Sequence, residues 1–298
     1  MEKEEGKLPT DRSGSVVNLL IVIALGILLA SVYAPLLLWL GRATLSLEQL
    51  HNGGLIVLFA LLISLRRAIW AGAFRPEGNG LGVALVAAGL VSLYLVRWLP
   101  VLALPIALMS FCLAFAGLSA FLFGIAGVRA LLPAIAGILL LGILAGAAPW
   151  LDWPLRAAGA RYSATVLEYL GVDVAVALKQ GRPPELLLAV KDRMFIVAAE
   201  CNGFGLITSS LLVAAILGFH YRIPWTAKLG LFLFALPLAL LFNALRIVGI
   251  SLAAVHLPLP YMLIHEGIGL FFYGAALLLL WWLASWRAEP EPQRHGRR

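Results

Sequence analysis

Eight apolar runs follow one another along the 298 residues, over approximately 16–40, 53–70, 80–98, 101–124, 130–150, 201–219, 226–252 and 264–286. Each is close to the ~20 residues a helix needs to cross the hydrocarbon core of a bilayer. Only Arg97, Trp98 and Pro100 interrupt the chain between the third and fourth. With 62% hydrophobic and 12% charged residues, a soluble domain of this size cannot enclose so much apolar surface. The pattern predicts an all-α polytopic membrane protein of about eight transmembrane helices. It forms a single domain over 1–298, with an insert at 151–200 and a polar tail at 288–298. The first run is too long for a signal-peptide core and no small-residue cleavage site follows it, so it is expected to remain as a span.

The net charge of +7 invites a nucleic-acid reading, but its distribution argues against one. With both termini inside, the inner segments hold Lys3, Lys7, Arg12, Arg66, Arg67, Arg75, Arg129, Arg222, Lys228, Arg287, Arg294, Arg297 and Arg298, whereas the short outer segments hold Arg42, Arg97 and Arg246. This is the positive-inside bias of a multi-pass protein of the cytoplasmic membrane, whose general partners are membrane lipids. Trp281, Trp282 and Trp286 fit an aromatic belt at the inner end of the last span.

The insert is the one long hydrophilic stretch, and it falls on the outer side. From Asp152 to Leu170, Leu155, Ala158, Tyr162, Val166 and Tyr169 recur at helical spacing, which predicts a helix lying in the interface. From Val172 to Lys179 the period changes to two, the pattern of a strand. Gly181-Arg182-Pro183-Pro184 forces a turn. Leu186–Val190 and Met194–Ala198 read as two more short strands. Such a meander either packs as a lid on helix ends or holds an extended peptide at a free edge.

Three polar side chains sit at the same, outer end of the last three runs. Cys201 opens the sixth, where unpaired N–H groups and the positive end of a helix favour a thiolate, and Gly203 and Gly205 allow close approach. Arg246 lies inside the seventh with Asn243 on the same face, and a guanidinium within a span requires a partner or a wet cavity. His265 opens the eighth, followed by Glu266. An imidazole can take a thiol proton and return it to a leaving amine, and a guanidinium can stabilise the thiolate or an oxyanion. Thiol, imidazole and guanidinium together are the requirements of cysteine acyl transfer. The other cysteine, Cys112, is in mid-span among apolar residues and reads as packing. Metal binding fits less well, for want of a cluster of His and carboxylate ligands, and the reading invokes no cofactor.

Glu200-Cys201-Asn202-Gly203 with Leu206-Ile207-Thr208-Ser209, then Asn243-Ala244-Leu245-Arg246-Ile247, then His265-Glu266-Gly267-Ile268-Gly269 resemble the three signature blocks of the exosortase/archaeosortase family. Their order and outer-face placement match, and so does the number of spans. His51-Asn52-Gly53-Gly54-Leu55 is a looser echo of an early family segment. The family usually has Ser after the cysteine, where this chain has Asn202. The resemblance implies a membrane cysteine protease or transpeptidase acting on exported surface proteins. Its substrates would end in a short motif such as Pro-Glu-Pro, a transmembrane helix and a basic tail. It further implies Cys201 as nucleophile, His265 as acid and base and Arg246 as electrostatic stabiliser, supported by Asn243, Glu266, Glu200 and Asn202. The alternatives are a non-enzymatic transporter or assembly subunit for a polysaccharide or lipid-linked substrate, which calls for polar residues through the depth of several spans, and a thiol-redox protein, which calls for a second cysteine near the first.

Overall fold

A computed structural model describes residues 12–70, 80–180, 184–197, 201–221 and 223–286. The polar tail, Glu200 and the Gly181–Pro183 part of the expected turn lie outside the described residues. Every apolar run is helical: α1 (Arg12–Val32), α2 (Ala34–Ser46), α3 (Glu48–Trp70), α4 (Gly80–Leu95), α5 (Ala103–Tyr169), α6 (Phe204–His220), α7 (Trp225–His256) and α8 (Tyr261–Trp286). The protein is an all-α polytopic membrane fold with one small sheet.

The partition of the helices differs from the expected eight spans. Among the described residues, four helical segments are long and apolar enough to cross a bilayer, namely Glu48–Ile69, Pro100–Tyr169, Trp225–His256 and Tyr261–Trp286. The pair α1 and α2, bent by 76°, makes a fifth if it counts as one span. The bend falls where Pro35, lacking an N–H, cannot continue the helical ladder of α1. At 16 and 17 residues, α4 and α6 are shorter. The expected spans at 101–124 and 130–150 and the expected interfacial helix all fall within the 67 residues of α5. Two helices meet within it at Gly124, whose φ of 63° and ψ of −170° are not helical and are open to glycine, so the backbone breaks where the 101–124 run is expected to end. Pro133, Pro149 and Pro154 are accommodated inside it.

The chain packs as two units, 1–39 with 67–130 and 40–66 with 131–298. In the first, α4 lies on α5 at backbone contact. A Cβ added to Gly82 would come within 2.7 Å of the Phe121 nitrogen, and one on Gly117 within 2.6 Å of the Val86 nitrogen. Apolar helices in lipid gain little from burying apolar area, so small residues that let backbones meet supply much of the cohesion. The buried Tyr33 hydroxyl pairs with Ser110 Oγ at 2.6 Å, and Ser110 donates to the Gly89 carbonyl at 2.6 Å. Gly117→Val is therefore expected to destabilise this unit by about 1–3 kcal/mol, measured by denaturant unfolding in micelles. Gly26→Ala, where the added Cβ meets nothing within 4 Å, is expected to have no effect.

In the second unit, α3 crosses α6 through Gly53, whose added Cβ would lie 3.0 Å from Thr208 Cγ2, and through Gly205, 3.1 Å from the Gln49 carbonyl oxygen. The insert folds as β1 (Val174–Lys179), β2 (Glu185–Val190) and β3 (Arg193–Ile196), antiparallel in the order β1-β2-β3. Leu186, Leu188 and Val190 of β2 are buried against Ala160, Ala164 and Leu167 of α5 and Ile247 and Val248 of α7. The α5 helix buries Ala160, Ser163, Ala164 and Leu167 and turns Tyr162 and Tyr169 outward. The expected strand pattern at 172–179 persists, but burial fades along it, since β1 is an outer strand and Val176 and Leu178 are exposed.

Candidate active site

The last three helices and the C-terminal turns of α5 converge around Cys201. The residue occupies a short helical turn just ahead of α6, and Gly203 is the helix N-cap with φ +80°. The fold requires glycine there twice over. The left-handed backbone disfavours a side chain, and an added Cβ would sit 2.7 Å from Asn243 Cγ and Nδ2. Asn243, buried on α7, fills that space and donates through Nδ2 to the Cys201 carbonyl at 3.2 Å. Gly159 of α5 flanks the same pair, its added Cβ 3.4 Å from Asn243 Nδ2 and 3.8 Å from the Cys201 oxygen. Gly203→Ala should thus displace the asparagine from beneath the cysteine. The expected result is a loss of about 1–3 kcal/mol of stability, read by denaturant unfolding in micelles.

His265 and Arg246 reach the thiol's surroundings from α8 and α7. Cys201 Sγ lies 3.7 Å from His265 Nε2, and Arg246 Nη2 lies 3.5 Å from the same nitrogen. All three side chains are half-buried. A guanidinium only donates, so its approach to Nε2 suits the tautomer with a lone pair there, which is also the form able to accept the thiol proton. His265 and Gly269 are one turn apart on α8. A Cβ on Gly269 would lie 3.2 Å from Arg246 Nε and 3.3 Å from Nη2, so its absence gives the guanidinium its berth beside the imidazole. The His-x-x-x-Gly spacing of the sequence is a device for seating Arg246.

Asn202 has a different part. It is 1% exposed and works as a hub: Nδ2 donates to Asp152 Oδ1 at 2.6 Å and to Gln49 Oε1 at 3.2 Å, while Oδ1 accepts the Phe204 N–H at 2.7 Å. Arg156 in turn grips Asp152 through two contacts, at 3.1 and 2.6 Å. Asn202 therefore ties the cysteine turn to α3 and α5. Glu266 is exposed, with no hydrogen bond or ion pair among the described residues, and Glu200 lies outside them. His51 is also exposed and bonds to the Leu45 carbonyl at 3.0 Å. Of its segment, Gly53 is the residue that packs against α6.

Sequence reading passed over Asp152, Arg156, Gln49, Gly159 and Tyr261. The first pair carried a signal, an acid and a base four apart in an otherwise apolar stretch. Tyr261 stands between Phe195 and His265, its ring centroid 6.3 Å from the one and 5.8 Å from the other.

A family model for transmembrane exosortases matches residues 45–282, which take in α3, the insert and all of the residues just described. The chain belongs to the transmembrane exosortase family. As an exosortase it is a multi-pass membrane protein, and membership carries a protease or transpeptidase role in general. No curated protein and no solved structure matches the chain. The matched range excludes α1 and most of α2, so the family's shared part is centred on the unit that holds Cys201.

Proposed function

We propose that this exosortase is a membrane cysteine protease or transpeptidase that cleaves the C-terminal sorting signals of exported proteins on the outer face of the cytoplasmic membrane. Cys201 is the nucleophile, His265 the acid and base and Arg246 the electrostatic stabiliser. The observation that carries this reading is the meeting of sulfur and guanidinium at one nitrogen, 3.7 and 3.5 Å from His265 Nε2.

The steps follow from that geometry. His265 Nε2 takes the proton from Cys201, and the thiolate adds to the carbonyl carbon of the scissile peptide bond. Arg246, held at the same imidazole nitrogen, offsets the negative charge as it moves from sulfur to oxygen. The tetrahedral adduct collapses, the C–N bond breaks, and the imidazolium gives its proton to the departing amine. A thioester remains on Cys201. An incoming amine or water then attacks it, losing a proton to His265, and the thiolate leaves. Asn243 and Asn202 are positioning residues, one on the cysteine carbonyl and one on the turn behind it. Substrates with a motif, an apolar helix and a basic tail suit such a site, because diffusion in the plane of the bilayer fixes their depth and orientation before contact.

The reading is tested by cleavage of a reporter ending in a Pro-Glu-Pro segment, an apolar helix and a basic tail, in membranes holding wild-type or variant enzyme. Placement of the site is tested in a Cys112→Ala variant, which leaves Cys201 as the sole thiol. A membrane-impermeant maleimide added to intact cells should label it. Labelling only after the membrane is opened would put the site on the inner face and contradict the proposal.

A further inference from the structure

The cysteine is preceded in the chain by a strand with an unused edge. β3 pairs with β2 on one side, and among the described residues no strand lies on the other. Val197 donates its N–H to the Leu186 carbonyl at 2.8 Å. The register sets Leu188 opposite Phe195 and Val190 opposite Arg193. Antiparallel pairing alternates, so Arg193, Phe195 and Val197 direct their N–H and C=O groups toward β2. Met194 and Ile196 direct theirs away, and no backbone hydrogen bond takes them up among the described residues. The side chains of these two residues are open as well, at 76% and 54% exposure.

That edge adjoins the candidate active site. Phe195 packs against Ile250, Ala254 and Ile264 at the ends of α7 and α8, stacks on Tyr261, and Tyr261 in turn lies against His265. Cys201 follows Ile196 by five positions, a reach of at most about 17 Å. At the far end of the strand, Arg193 donates to the Ala254 carbonyl and Lys191 Nζ lies 3.4 Å from His256 Nε2, so β3 is fixed to the end of α7.

We propose that the free edge of β3 is the docking rail for the peptide segment on which Cys201 acts. The segment adds as a fourth strand, its main chain bonded to Met194 and Ile196, and is thereby guided over Tyr261 to the thiol. The inference rests on the protease reading given above. An extended peptide suits this edge because it can use all four outward backbone groups whatever its side chains. A second copy of the chain suits it less, since charged Lys191, Asp192 and Arg193 at the start of the strand oppose edge-to-edge pairing.

Proline substitution separates the two sides of the strand. Met194→Pro and Ile196→Pro each remove one outward N–H and leave the bonds to β2 intact, whereas Phe195→Pro removes a bond to β2 and serves as the structural control. With the full-length enzyme in membranes and the Pro-Glu-Pro reporter, each outward proline is expected to lower kcat/KM about five- to tenfold, with thermal stability and the rate of Cys201 alkylation by iodoacetamide unchanged. A second measurement needs no enzyme variant. Reporters carrying single backbone N-methyl groups along the segment should lose cleavage at alternate positions only. Cysteine-dependent cleavage with a flat N-methyl series and unaffected outward prolines would overturn the docking rail and leave the protease reading standing. Cleavage that survives Cys201→Ala would remove the protease reading itself. A change of oligomeric state in the proline variants, with cleavage unaltered, would assign the edge to a second copy and overturn the proposal as well.

Discussion

Cys201→Ala is expected to abolish cleavage of a sorting-signal reporter, by at least about 10⁴-fold, while the protein remains folded and membrane-inserted. The size of the effect follows from the chemistry. Without the Cys201 sulfur there is no thioester. The mildness toward the fold follows from the packing. The cysteine turn is held by its carbonyl, through Asn243 Nδ2, and by the Asn202 side chain, through Asp152 and Gln49; none of these bonds uses the thiol. Cys201→Ser should fail almost as completely, because a hydroxyl gives up its proton far less readily than a thiol. Reporter cleavage and thermal unfolding of the same membrane preparations check both halves of the expectation.

His265→Ala is expected to cost about 10²–10⁴-fold in kcat/KM, the usual contribution of a positioned acid and base. A purely structural histidine could also lower the rate, so the pH profile is the deciding readout. The imidazole must be neutral to accept the thiol proton. Wild-type cleavage should therefore rise with pH through an acid limb, and the variant should lack that limb. His265→Gln, which keeps bulk beside Tyr261 without a titrating nitrogen, should resemble the alanine variant. If the acid limb persists in either variant, some other group supplies it.

The two residues differ in how far their surroundings could be read from sequence. Cys201, Arg246 and His265 were legible because polar side chains in apolar runs are rare, and because runs that alternate direction bring their like ends together. Asn243 was legible through its place on the face of Arg246. The supporting contacts were less so. Asp152 belongs to the final turns of α5, some fifty positions upstream of Asn202, and no local pattern announces a bond across that separation. Gln49 is further away still, on α3.

Helix count suffered from a related difficulty. Hydropathy marks where a chain prefers lipid but not where a helix stops. The runs at 101–124 and 130–150 part at Gly124, where two helices meet, but the second runs on through Pro149 and Pro154 to Tyr169 with no stop at the expected end. Along 152–170, Tyr162 and Tyr169 of the expected apolar stripe are exposed, and the packing contacts come from the opposite side of the helix. A hydrophobic stripe was sought, but contact with α7 is made through Gly159, Ala160, Ser163 and Ala164, residues chosen for size rather than apolarity. By contrast the three strands came out near their expected places, since period-two alternation and the Lys191-Asp192 turn leave few other options.

Covalent capture at Cys201 is the most direct measurement of the account. On the proposed mechanism His265→Ala removes the base that activates the resolving amine or water, so an acyl intermediate once formed should persist and leave a substrate fragment on the enzyme. Intact mass should increase by that fragment, and peptide mapping should place it on Cys201 as a hydroxylamine-sensitive thioester. An enzyme that cleaves the reporter at the wild-type rate while no adduct forms at Cys201, in either the wild-type or the His265→Ala background, would contradict the account.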